Sequence, residues 1–186
     1  MPRSRSSKKE PKVVYWYASE GAVTERYYMD FINKMIRGSS KVLKPIPGGR
    51  DDPKNLLIRV KRCKEISSND HVCLIFDPDC WPNSHMLDIA KWENEKPSLR
   101  KVAKTIPCFE IWLLLHFECI NGRSIEECKR RLVKHKVYND VNSKSPNMDV
   151  FDKGSVERAI NNAKMLGNNK MNNALGMAEF VEELLN

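Results

Sequence analysis

Three short acidic segments sit where a strand is expected to end or a helix to begin: Ser19-Glu20-Gly21, Phe76-Asp77-Pro78-Asp79 and Pro107-Cys108-Phe109-Glu110. Carboxylates gathered at one edge of a sheet suit a hard divalent cation such as Mg²⁺, which takes oxygen ligands and keeps several waters. The chemistry suggested is that of phosphate at a metal site. Asp77 and Asp79 stand two residues apart, so both can turn to one side while Pro78 stiffens the turn. An ordinary polar turn has the same composition. Glu110, in the first turn of its helix, also answers the helix dipole. His116 reads mainly as a hydrogen-bonded core histidine and secondarily as a catalytic group. Trp112 reads as core, and Tyr27 and Tyr28 divide between core and site rim, with core favoured.

The elements that must position these residues follow from hydrophobic patterning. Residues 13–18 form an unbroken β-branched and aromatic run, as in a strand buried on both faces. From Val23 the apolar positions Val23, Tyr27, Phe31 and Met35 recur at helical spacing, with Gly38 as the stop. Residues 42–46 read as a short strand that Pro45 confines to a sheet edge. Asp52 is placed to cap a helix with Pro53 in its first turn and a stripe of Leu56, Leu57, Val60 and Cys63. Residues 71–76 are the clearest strand, and Pro82 starts a helix through Met86, Ile89 and Ala90. A fourth strand spans 99–106, interrupted by Arg100, Lys101 and Lys104. Pro107 opens a helix over 108–117 that is apolar nearly all round. Beyond residue 120 only helices are expected. Ser124 and Glu127 form a capping box for a basic helix to about Lys136, 137–153 is a polar loop, and helices follow at about 155–166 and 174–185.

Strands alternating with helices predict an α/β fold: a mostly parallel four-stranded sheet with helices on both faces, plus a C-terminal helical extension. The organisation expected is a basic arm (1–12), a catalytic core (13–120) and a helical extension packed on it (121–186). With strand 2 at an edge, an order such as 2-1-3-4 makes strands 1 and 3 neighbours. Ligands of open α/β sheets sit beyond the carboxyl ends of the strands, where strand order reverses. Adjacent strands are ~4.8 Å apart, so Glu20 and the Asp77/Asp79 pair are expected to share an ion there.

The totals bound the function. The 186 residues are 41% hydrophobic and 30% charged, which argues against general disorder. No apolar run approaches the ~20 residues of a membrane helix. No secretory signal is read, so a cytoplasmic protein is expected. Half of the net charge of +8 lies in residues 1–12, with five basic residues against Glu10. This is either a solvated tail or an arm that meets phosphates. Six cysteines show no CxxC pair and no zinc-finger spacing to histidine, so reduced thiols are expected and structural zinc is not.

Residues 19–28, with Glu20-Gly21, Thr24-Glu25 and Tyr28 at matching spacing, resemble the EGxxTExxY opening of RloB-like proteins. Residues 74–79 look like that family's strand followed by DxD, and residues 107–117 are similar to its PCFExWLLLHF segment. Ile106 departs from the family's usual Asn, and residues 171–176 also stray from its pattern. The resemblance implies a Toprim-like fold. It implies Mg²⁺ binding by the DxD pair, Asp77 and Asp79, and proton transfer or metal binding by Glu20. By the same motif Glu25 and Glu110 belong to the site region. The resemblance further implies a nuclease in anti-phage defence, often beside an ATPase partner chain.

The leading expectation is therefore Mg²⁺- or Mn²⁺-dependent cleavage of DNA or RNA, with Glu20, Asp77 and Asp79 catalytic. Glu20 is either a metal ligand or the general base. Lys101, Lys104, Arg130, Arg131 and the N-terminal arm are the candidate nucleic-acid contacts. The alternative is a nucleic-acid-binding or partner-regulated module with little intrinsic activity. A haloacid-dehalogenase-like phosphatase fits poorly, because Cys80-Trp81 follows the second Asp. No GxxxxGK[ST] loop is present, so any ATP dependence belongs to another chain.

Overall fold

The computed structural model describes residues 12–48, 52–78, 81–120, 124–167 and 173–186. Most of the basic arm and Asp79 lie outside the described residues. Four parallel strands, β1 (Val13–Ser19), β2 (Lys41–Pro45), β3 (His71–Phe76) and β4 (Arg100–Lys104), form one sheet in the order β2-β1-β3-β4. Helices α1 (Thr24–Met35), α2 (Pro53–Arg62) and α3 (Asn83–Glu95) connect them in turn. The step from β1 to β2 runs one way and the return to β3 runs the other. Right-handed crossovers then put α1 on one face and α2 on the opposite one.

Each central strand feeds both faces, which is why its sequence is apolar without alternation. Tyr15, Tyr17, Cys73 and Ile75 join one hydrophobic cluster, and Trp16, Ala18, Val72, Leu74 and Phe76 join the other. The smaller cluster is closed by α2 and α3 through Leu56, Val60, Ile89 and Trp92. The larger one is closed by α1 and by the rest of the chain: α4 (Phe109–Leu115), α5 (Ile125–Lys134), α6 (Lys153–Leu166) and α7 (Leu175–Leu185). The C-terminal helices and the sheet thus share one core. Among the described residues no helix is long and apolar enough to cross a membrane.

The edge strands differ from the centre for physical reasons. β2 ends at Pro45, and its Lys44 Nζ lies 4.9 Å from the Trp16 ring centroid, a cation–π contact on an edge. Two of the three charges that interrupt β4 are paired: Arg100 donates to Trp92 O and Glu95, each at 2.7 Å, and Lys101 meets Glu183 at 3.1 Å. β4 is shorter than the 99–106 predicted, because Ile106 leaves the parallel ladder to pair antiparallel with Asn173.

Other boundaries move by one to three residues. Asp52 caps α2 as expected, accepting from Lys54 N and Asn55 N. The buried helix runs only Phe109–Leu115, with Cys108 at its N-cap. Its last carbonyls are taken by α6: Arg158 donates to His116 O at 2.7 Å and Asn162 to Leu115 O at 2.8 Å. Helix α6 begins two residues early because Asp152 and Ser155 form a reciprocal capping box. The 137–153 segment is less polar than expected, since Val137, Tyr138 and Phe151 are buried and Met148–Val150 makes a 3₁₀ turn. Tyr28 is core, but Tyr27 is 48% exposed. Helical period alone cannot rank neighbours at the rim of an apolar stripe.

Gly176 is where α7 meets β4. A Cβ there would stand 2.4 Å from Val102 O and 2.9 Å from Ala103 Cα. These are backbone atoms, so they cannot rotate away. Gly176→Ala gains up to about 1 kcal/mol of helix propensity, but overpacking of this kind costs about 1–3 kcal/mol. A net loss is expected as a lower urea midpoint with an unchanged m-value.

Candidate functional site

The hydrogen-bond ladder of β3 continues one residue past the strand on each side. Glu20 N donates to Ile75 O at 3.0 Å, and Thr105 N donates to Phe76 O at 3.2 Å. Glu20, Asp77 and Thr105 are therefore the residues that leave three adjacent strands together. Glu20 Oε2 accepts from Asp77 N at 3.2 Å, and Asp77 Oδ1 accepts from Thr105 Oγ1 at 2.5 Å. Glu25, in the first turn of α1, folds back so that Oε1 accepts from Gly21 N at 3.1 Å. A Cβ at Gly21 would stand 2.0 Å from the Glu25 carboxylate, so this approach requires glycine.

Glu25 and Asp77 line an open cavity of about 270 Å³ with Glu110, Lys129, Lys144 and the loop from Gly21 to Thr24. Lys129 Nζ lies 3.8 Å from Glu110 Oε1. The 137–147 segment reaches α1 through Thr24, whose hydroxyl donates to Lys144 O at 3.0 Å. Glu20, Glu25, Asp77 and Glu110 are thus gathered at the carboxyl edge of the sheet. Asp79 lies outside the described residues.

Burial and crowding raise the proton affinity of these acids. Burial pushes Asp77 up to about 8; the Thr105 hydrogen bond opposes this, while Glu25, Glu110 and Glu20 add to it. Burial likewise pushes Glu25 up to about 7, with hydrogen bonds from backbone N–H groups opposing and Glu110 and Glu20 adding. Glu20 is raised too, mainly by burial, against hydrogen bonds from Asp77 N and Trp81. Carboxylates held close in partial burial favour a bound proton or a bound cation. Their oxygens are the donor type that Mg²⁺ or Mn²⁺ takes. Among the described residues, however, no group of three or more His, Cys, Asp or Glu side chains is close enough to form a ready metal site.

The other expected residues fall elsewhere. His116 is fully buried; Nδ1 faces Trp112 O at 3.0 Å and Nε2 faces Tyr28 Oη at 3.0 Å. A carbonyl only accepts, so Nδ1 carries the proton and Nε2 accepts from the phenol. Burial pulls its pKa down to about 3, which keeps it neutral. Lys101 pairs with Glu183, Arg130 with Glu127 at 3.2 Å, and Arg131 with Glu118. Lys104 is exposed at the end of β4. The cations lining the acid cavity are instead Lys129 and Lys144, which pattern alone did not single out. Thr105 was also missed. Its signal was a lone hydroxyl closing the fourth strand at the same edge as the acids.

Asp77 gives a pH test. Its folded-state pKa lies above the ordinary 3.8, so the folded chain holds this proton more tightly than the unfolded chain. The resulting stability is full below about pH 4 and lost as pH rises towards 8. In metal-free buffer Tm is expected to fall across that window, and Asp77→Asn is expected to flatten the fall. Equal slopes in both proteins would refute the burial of this charge.

Comparison with curated proteins and with solved structures gives no match. The model of one family, described as RloB-like protein, matches residues 15–184 and so takes in all four strands, the acid cluster and the closing helices. The chain belongs to the RloB-like protein family.

Proposed function

We propose that this protein is a metal-dependent nuclease of Toprim type, cleaving phosphodiester bonds of DNA or RNA with Mg²⁺ or Mn²⁺. The single observation that carries this reading is the gathering of Glu20, Glu25, Asp77 and Glu110 at the carboxyl edge of a parallel sheet. Asp77 and Glu20, with Asp79 and the neighbouring Glu25 and Glu110, would hold the cation. When bound, the cation supplies charge neutralisation on phosphate oxygens and activation of water. The chain's own part is positioning. Thr105 fixes one oxygen of Asp77, and Asp77 N fixes one oxygen of Glu20. Among the described residues the second oxygen of Asp77 has no hydrogen bond.

Glu20, with its raised proton affinity, is also suited to accept a proton from an attacking nucleophile. Lys129 and Lys144 place positive charge beside the acids, where a polyanion must approach. The resemblance to RloB-like proteins adds an anti-phage role with an ATPase partner to this proposal. A second reading is favoured by one observation: no three-ligand group is formed among the described residues. That reading is a nucleic-acid-binding or partner-regulated module with little turnover.

The two readings separate in one experiment. The purified chain, with and without a partner ATPase, is incubated with single-stranded DNA, duplex DNA and tRNA under Mg²⁺ or Mn²⁺. Glu20→Gln and Asp77→Asn are each expected to lower cleavage by about 10²-fold or more, with Tm in EDTA not reduced. Full cleavage by both variants would falsify the assignment of these acids. Salt-sensitive binding without cleavage by the wild-type protein under any condition would establish the second reading.

A further inference from the structure

The carboxyl edge of the sheet carries a second cavity, across the loop that follows β1. Its volume is about 240 Å³, and it lies between the ends of β1 and β2 and the start of α1. Gly21 and Ala22 line both this cavity and the acid-lined one, so that loop is the partition between them. Among the described residues, the charged ones lining it are both basic: Arg26 from α1 and Arg59 from α2. Arg59 is steadied there by donating from Nη2 to Ser19 O at 3.2 Å.

Tyr17 forms part of the wall. The residue is 3% exposed, yet among the described residues its hydroxyl has no hydrogen-bond partner. A buried polar group left unpaired costs about 1–3 kcal/mol. Phenylalanine would fill the same space without that loss, so the hydroxyl has no role in packing. Burial pushes the phenol up to about 12, with Asp30 raising it further and Arg26 opposing, so it stays a donor at neutral pH. Asp30 is exposed on α1, where solvent and salt screen its charge. An orphaned donor beside the Arg26 guanidinium is an arrangement that an anion completes.

We propose that this cavity is a phosphate subsite on the polynucleotide path: it takes a phosphodiester next to the one held at Glu20 and Asp77, with the Tyr17 hydroxyl donating to a phosphate oxygen and Arg26 supplying charge. The proposal rests on the substrate class named above, but not on a metal or on turnover. A strand passing over Gly21 and Ala22 reaches both cavities, because these two residues line each of them.

The test uses the full chain in EDTA, where no metal-dependent cleavage occurs. A short fluorescent single-stranded oligonucleotide is titrated by anisotropy over a series of salt concentrations, for wild type, Tyr17→Phe and Arg26→Gln. Tyr17→Phe is expected to weaken binding by about 10-fold, as for a hydrogen bond to a charged group, while leaving Tm equal or higher. Arg26→Gln is expected to weaken binding and to flatten the dependence of log K on log salt by about 0.7, one phosphate contact on a single strand. Unchanged affinity in both variants overturns the proposal, as does a fall in the Tm of Tyr17→Phe that accounts for its weaker binding. In a second arm, inorganic phosphate replaces the oligonucleotide. If it raises the Tm of wild type but not of Arg26→Gln, while oligonucleotide affinity is the same in all three proteins, the cavity serves free phosphate and the subsite is refuted. Binding in EDTA is independent of cleavage by Glu20→Gln, so either result can fail without the other.

Discussion

The backbone of Asp77 is fixed from both sides by the ladder that β3 shares with its neighbours. Two hydrogen bonds beyond the regular strands, Glu20 N to Ile75 O and Thr105 N to Phe76 O, carry the pairing to the last residue before the chain turns. Parallel strands rise together at ~3.3 Å per residue and sit ~4.8 Å apart, so residues at the same height on adjacent strands must be neighbours. The meeting of Glu20, Asp77 and Thr105 follows from this register. A one-residue slip of β3 would exchange the buried faces of Leu74 and Ile75 and break both clusters.

Crowded acids work against the fold that holds them. Asp77 and Glu25 are raised by burial and by neighbouring carboxylates, so at neutral pH the site favours a proton or a cation over bare charge. Opposing this is the packing of two large apolar clusters on the faces of the same sheet. The larger cluster includes an aromatic knot in which Tyr28, Trp112, His116 and Phe151 meet edge to face. Its neutral His116 links α1 to α4, the helix that carries Glu110. Packing thus supplies the rigidity that keeps unfavourably placed carboxylates together.

Positive charge is divided by the same geometry. Lys101 and Arg131 meet carboxylates on other segments and Arg130 meets one on its own helix, while Lys129, itself near Glu110, and Lys144, Arg26 and Arg59 line the cavities at the carboxyl edge. Exposed ion pairs are worth about 0–1 kcal/mol, so they hold side chains in place without adding much stability. The net charge of +8 describes long-range attraction to a polyanion. Which cations stand beside the acids depends on how α1, α2, α5 and the 137–147 segment pack.

Much of the architecture was legible because it is written in local patterns. Strands buried on both faces need continuous apolar runs, and Val13–Ser19 and His71–Phe76 show them. Pro45 lacks a ladder donor, so its strand belongs at an edge, and that set the strand order. The order in turn placed Glu20 and Asp77 at neighbouring exits. The remaining features depend on contacts between distant segments, which no local pattern carries. Thr105 binds Asp77 across 28 positions, α6 caps α4 with Arg158 and Asn162, and Ile106 leaves its strand for Asn173. The Tyr17 hydroxyl, unpaired among the described residues, the exposure of Tyr27 and the placement of Lys129 and Lys144 at the acid cavity are of the same kind. Residue order alone determined the strands, their sequence in the sheet and the edge at which the acids collect, because backbone hydrogen bonding and apolar periodicity are short-range. The tertiary structure decided which side chains touch those acids and which cations line the cavities beside them, because that depends on the packing of elements far apart in the chain.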